Sequence, residues 1–152
     1  MVIDWSAAIP IALGGAASGL VGIVYSEFRT RREEQQTIKR WFEKATNYAS
    51  QISEAVERYR DYSEASQLQS TCADIAPRIR EHVLNAPQER DDELIQDLVQ
   101  LRLHCEHVSE AHAQALSGGR TELNEQRVDE LYTTANKIEN KAEDAIKNLR
   151  WI

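Results

Sequence analysis

The chain has 152 residues, with 18 Lys plus Arg against 25 Asp plus Glu and a formal charge of −7. That length fits one modest domain with room for an appendage. Glycine and proline together reach only about half of their usual share of roughly 12%, and Pro10, Gly14, Gly15, Gly19 and Gly22 all fall before residue 23. The few turn residues left over cannot punctuate a sandwich, a barrel or an α/β sheet, so an all-α fold is expected.

Two cysteines, Cys72 and Cys105, are too few for a disulfide scaffold or a thiolate metal site; both occupy positions where a helix expects a small apolar residue. The acidic balance argues against a nucleic-acid partner, which needs Lys and Arg to neutralise phosphates.

No charged residue stands between Asp4 and Glu27. As a helix this run would extend ~31 Å, close to the hydrocarbon thickness of a bilayer. Trp5 lies at one end and Tyr25 and Phe28 at the other, where amphipathic rings favour headgroups. A cleaved signal peptide would want positive charge before the run, but Arg29, Arg31 and Arg32 follow it. A peripheral helix would show a polar face, and a core helix rarely runs so long without charge. The sequence therefore predicts an extracytoplasmic tail over 1–5, a single transmembrane helix over 6–27, a basic juxtamembrane helical connector over 28–37 and a cytoplasmic helical bundle over 38–152. The positive-inside rule places the N-terminus outside the cell membrane and the C-terminal domain in the cytoplasm.

Within the span, Gly15 and Gly19 form a GxxxG pair beside a second small-residue row of Gly14, Ser18 and Gly22. These five residues are candidates for helix–helix packing, with a second copy or a partner membrane protein. Arg29, Arg31 and Arg32 are candidates for setting topology and meeting lipid headgroups. Residues 29–44 carry six basic against three acidic side chains, a net +3, whereas 45–152 carry a net −8.

Three heptad-like rows then follow. Ile38, Phe42, Ala45, Ala49, Ile52, Val56, Tyr59 and Ser63 form the first; Leu94, Leu98, Leu101, Cys105, Val108, His112 and Ala115 the second. Val128, Leu131, Ala135, Ile138, Ala142, Ala145, Leu149 and Ile152 form the third. A mean step of about 3.5 residues keeps each row on one seam, as in coiled coils and shallow-angle bundles. A shorter piece near 70–85 carries Cys72, Ile75, Ile79 and Val83, with Pro77 opening or kinking it somewhere in 66–77. Pro87 suits the first position of the next helix, Gly118 and Gly119 its end, and Asn124 the cap of the last, with Leu123 stapled to Val128. The expected fold is an antiparallel bundle of three long helices and one shorter or kinked helix behind a membrane anchor.

Chemistry is sparse. His104, Cys105, Glu106, His107, Glu110 and His112 crowd one helix, but a metal needs ligands converging from several elements. No phosphate loop, nucleophile elbow or zincin motif occurs, so neither catalysis nor a cofactor or metal is expected. The sequence predicts a membrane-anchored module acting by protein–protein contact, as scaffold, adaptor or assembly subunit, with membrane lipid and an unknown cytoplasmic protein as partners. The alternative is a membrane-perturbing toxin-like, holin-like or defence effector that oligomerises through the Gly-rich span.

Overall fold

The computed structural model describes the backbone of residues 8–88, 91–116 and 123–149, and the side chains of 22–88, 91–110 and 123–149. Four helices follow in order: α1 (Ala8–Tyr62), α2 (Ala65–Leu84), α3 (Asp92–Leu116) and α4 (Glu125–Leu149). The contacts divide the chain into two units, 1–37 and 38–152. The first contains the N-terminal part of α1; the second is a four-helix bundle.

Among the described residues no helix is long and apolar enough to cross a membrane. This overturns the expected transmembrane helix 6–27, and with it the anchored fold, the single-pass topology, the membrane lipid partner and the lesion-forming alternative. The physical reason lies in charge: where side chains are described, Glu27, Arg29, Arg31 and Arg32 follow Tyr25 and Ser26 at once, and charged side chains are costly in hydrocarbon. The tail 1–5 and the side chains of Gly14, Gly15, Ser18 and Gly19 lie outside the described residues.

In the bundle unit, successive helices run antiparallel. On α1 and α4, Arg60 pairs with Asp129, Glu57 with Tyr132 and Ser53 with Asn136, so rising numbers meet falling ones. Asp97 meets Lys137 and Glu93 meets Lys141 on α3 and α4. Trp41 near the start of the bundle part of α1 meets His82 near the end of α2. Each helix therefore lies beside its chain neighbours, and α4 closes on α1.

The seams point inward at the heptad-like spacing. Ala45, Ala49, Ile52 and Val56 of α1, Leu68, Cys72, Ile75 and Ile79 of α2, Leu94, Leu98, Leu101 and Cys105 of α3, and Leu131, Ala135, Ile138 and Ala142 of α4 have no exposed surface. Tyr59, Val83, Ala145 and Leu149 are partly buried against this core, whereas Ser63 lies beyond the end of α1 and is exposed.

Helix ends depart from expectation in three places. The chain turns at Ser63, whose φ of 57° is left-handed, and its N–H reaches back to the Tyr59 carbonyl at 2.8 Å. The bend thus precedes 66–77, and α2 runs through Pro77 as one helix of 20 residues. Pro77 deprives the Ala73 carbonyl of its intrahelical donor, and both residues are exposed, so that carbonyl is left towards water. Pro87 lies in the loop before α3; Asp91 caps that helix, its Oδ1 accepting from the Glu93 and Leu94 N–H groups at 3.0 and 3.2 Å. Asn124 caps α4, its Oδ1 accepting from Gln126 N–H at 3.0 Å, with Leu123 packed on the core beside it. Gly118 and Gly119 lie outside the described residues.

Candidate functional site

Three places in the structure concentrate polar or reactive groups, and a fourth exposes apolar ones. The first is an aromatic–imidazole cluster between α1 and α2. The Trp41 and His82 rings are stacked, centroids 4.7 Å apart and planes 12° from parallel. Phe42 meets Trp41 edge-on at 5.3 Å, and Tyr48 meets His82 edge-on at 5.5 Å. Burial pushes the imidazole down to about 4, against a backbone hydrogen bond with Trp41 that pulls upward, and Lys44 adds to the depression. His82 is therefore neutral at pH 7, and its buried Nε2 has no hydrogen-bond partner.

The same cluster completes the C-terminus of α2, where the last carbonyls lack intrahelical donors. Asn85 serves the Glu81 carbonyl through its backbone N–H and side-chain amide, and Ala86 N–H serves Val83. The indole N–H of Trp41 donates to the His82 carbonyl at 3.1 Å. Trp41 is thus a cap supplied by another helix.

The second place is a charged network between α3 and α4. Lys137 Nζ lies 2.8 Å from Asp97 Oδ1, and Lys141 Nζ 3.0 Å from Asp97 Oδ2 and 2.9 Å from Glu93 Oε2. Burial alone would push Asp97 up, but hydrogen bonds and charge from Lys137 and Lys141 outweigh it and hold the carboxyl below its ordinary value. Lys141 is pushed strongly up, chiefly by the hydrogen bonds to Glu93 and Asp97. Both Asp97 oxygens are occupied, an arrangement that fixes helix register rather than one that frees a base.

The third is the cysteine pair: Cys72 of α2 and Cys105 of α3 are fully buried free thiols. The histidine-rich stretch, by contrast, does not converge. His104 is half-buried with Nδ1 3.9 Å from Glu130 Oε2, His107 is exposed, and the side chain of His112 lies outside the described residues. Among the described residues no group of His, Cys, Asp or Glu could hold a metal ion.

Two open clefts flank α4. One of about 320 Å³ is lined by Tyr59, Arg60, Ser63, Glu125, Val128 and Asp129. The other, of about 430 Å³, is lined by His104, Gln126, Asp129, Glu130, Thr133 and Thr134. Both are open and lined mainly by polar and charged residues, unlike the enclosed, mostly apolar pockets that hold small molecules.

The fourth place is in the N-terminal unit. Ile23, Val24, Tyr25 and Phe28 are 59–71% exposed. Of the residues expected from sequence to pack helices or set topology, Gly22 faces open space, with nothing within 4 Å of where a Cβ would stand. Arg29 is paired along its own helix with Glu33 at 3.0 Å, and Arg31 and Arg32 are exposed. Among the described residues, the structure brings none of Gly22, Arg29, Arg31 and Arg32 into a common site. The residues it does assemble, Trp41 with His82 and Asp97 with Lys141, were not singled out by sequence. The only signal for His82 was its place three residues after Ile79, one step further along the α2 seam. The chain matches no family model, no curated protein and no solved structure.

Proposed function

We propose that this protein is a non-catalytic assembly module, in which a four-helix bundle carries a helical segment that packs against the same segment of further copies. No membrane anchor enters this reading. The observation that carries it is the exposure of Ile23, Val24, Tyr25 and Phe28 within one short stretch of helix. At 100° per residue Val24, Phe28 and Tyr25 share an uninterrupted arc of ~100°, with Ile23 beyond it on the far side of Glu27. Three large apolar side chains exposed side by side form a patch of the kind that marks an interaction site. Gly22, with open space at its Cβ position, leaves room for a neighbouring backbone to approach.

The bundle itself offers little purchase for an apolar partner. Of its described large apolar side chains most pack on its own core, with Tyr62 and Leu84 exposed singly at the C-terminal ends of α1 and α2. Its open clefts are lined mainly by polar and charged residues. Light scattering coupled to size exclusion tests the reading. The full chain should elute as an oligomer whose mass falls to that of one chain in the Val24→Asp/Phe28→Asp variant, with unchanged far-UV circular dichroism. A wild-type chain that stays monomeric over about 1–100 μM, well beyond the strength of a weak specific contact, overturns it.

A further inference from the structure

His82 is more than nine-tenths buried in the last turn of α2, where it is clasped to α1 at three points. Its ring is stacked 4.7 Å from the Trp41 ring and meets the Tyr48 ring edge-on at 5.5 Å. Its main-chain carbonyl accepts the Trp41 indole N–H at 3.1 Å. Its Nε2 is buried and reaches no hydrogen-bond partner. A neutral imidazole bears that omission at moderate cost. An imidazolium does not, because Nε2 then becomes a charged donor with nothing to receive it.

Among the described residues, the charged groups at this end of the bundle are repulsive, engaged elsewhere or exposed. On α1, Lys44 repels a second positive charge, Tyr48 presents its ring, and Glu43 is paired with Lys39 at 3.4 Å. On α2 itself, Arg78 is paired with Asp74 at 3.2 Å, and Arg80 and Glu81 are exposed. At the start of α3, Asp91 caps its own helix, Asp92 is exposed and Glu93 is paired with Lys141. At the end of α4, Asp144 and Lys147 pair with each other at 3.8 Å. Attraction to the Trp41 face offsets only part of the cost of a buried cation.

We propose that the Trp41–His82 clasp is an acid-released latch: protonation of the imidazole turns its ring out to water and frees the last turn of α2 while the rest of the bundle stays folded. Release is local because little lies beyond it. Only Val83 and Leu84 complete α2, and Leu84 is exposed. Leu68, Cys72, Ile75 and Ile79 still seat the helix in the core. What release uncovers is Trp41 and Phe42, both buried while the latch is closed.

The size of the response follows from linkage. Burial holds the latched imidazole down to about 4, against an ordinary 6.5 once it is free in water. The released state therefore binds the proton more tightly. Between these values the ratio of released to latched chain rises about tenfold per pH unit, roughly 300-fold in all, and above pH 6.5 it is constant.

Amide hydrogen exchange on the full chain tests this between pH 7 and pH 4, corrected for intrinsic exchange, with and without about 1 M urea. Protection of residues 82–86 should fall about tenfold per unit below pH 6.5 without responding to urea, because a local opening exposes little surface. Amides of 98–101, in the core of α3, should stay more protected and should respond to urea. His82→Phe keeps an aromatic face and cannot take the proton, so it should abolish the pH dependence at 82–86. His82→Gln, checked like the first variant by circular dichroism, should do the same if phenylalanine disturbs the fold. Protection at 82–86 that is unchanged by acid would overturn the proposal. So would a loss shared with 98–101 at the same urea response, or a pH dependence that persists in the folded variants.

Discussion

Trp41 and His82 are joined twice: their rings stack at 4.7 Å, and the indole N–H of Trp41 donates to the main-chain carbonyl of His82 at 3.1 Å. One side chain of α1 therefore packs on a residue of α2 and satisfies the exposed end of its backbone. Trp41→Phe keeps an aromatic face and removes the donor. It should cost about 1 kcal/mol, the usual net worth of such a bond, whereas Trp41→Ala should cost about 3–5 kcal/mol through the lost core volume. Urea unfolding of the two variants measures both.

The buried imidazole predicts a pH dependence. The folded pKa of His82 is depressed from 6.5 to about 4, so between these values the unfolded chain binds a proton that the folded one does not. Stability is full above about pH 6.5 and falls as pH drops towards 4, by up to roughly 3 kcal/mol for this shift. His82→Phe should flatten the curve in this window, measured as urea midpoints at closely spaced pH values.

Asp97 acts in a more acidic window. Its carboxyl is held down by Lys137 and Lys141, so its contribution is present above the ordinary carboxylate range and is lost as pH falls through the lower folded value. Asp97→Asn should destabilise the bundle by about 1–3 kcal/mol, because two lysines lose a charged acceptor. Asp97→Asn and His82→Phe should add when combined, since the two groups share no partner among those the structure gives them.

Glu139 works in the opposite sense. Burial pushes its carboxyl up, against a hydrogen bond from Ser53, and Glu143, Glu54 and Glu57 crowd it further. Glu139→Gln removes a disfavoured charge and should raise the thermal midpoint modestly, by less than about 1 kcal/mol for a group so near the surface. Differential scanning calorimetry at pH 7 reads it.

Ser63 sits at φ 57° at the end of α1. A left-handed conformation costs a non-glycine residue about 1–2 kcal/mol. Ser63→Gly should therefore stabilise the bundle by about 0.5–1 kcal/mol after glycine's greater unfolded-state freedom is deducted. Thermal melts of the two proteins, compared at equal concentration, give the difference.

The core was largely legible because its signal is periodic. Leu94, Leu98, Leu101, Cys105 and Val108 on α3, and Val128, Leu131, Ala135, Ile138 and Ala142 on α4, are all buried as their spacing requires. The ends of helices were less so. Serine carries no marker for a left-handed turn, and Pro77 looks like a boundary although it lies inside α2. Asp97 reads as a solvated acid until Lys137 and Lys141, some 40 residues away, are brought against it. Trp41 and His82 are 41 residues apart, and a seam pattern holds no information on which aromatic reaches which carbonyl. The uncharged N-terminal run reveals length and hydropathy but nothing about what surrounds it. Reading its length as a bilayer thickness supplied an anchor that the described helices do not bear out.

The most direct test of the assembly account places a photoreactive benzoyl-phenylalanine at position 28, in place of an exposed Phe28. Irradiation of the folded full chain should yield a covalent dimer whose cross-linked peptide maps to residues 22–40 of a second copy. A product that remains wholly monomeric, while circular dichroism shows the helices intact, would contradict the account.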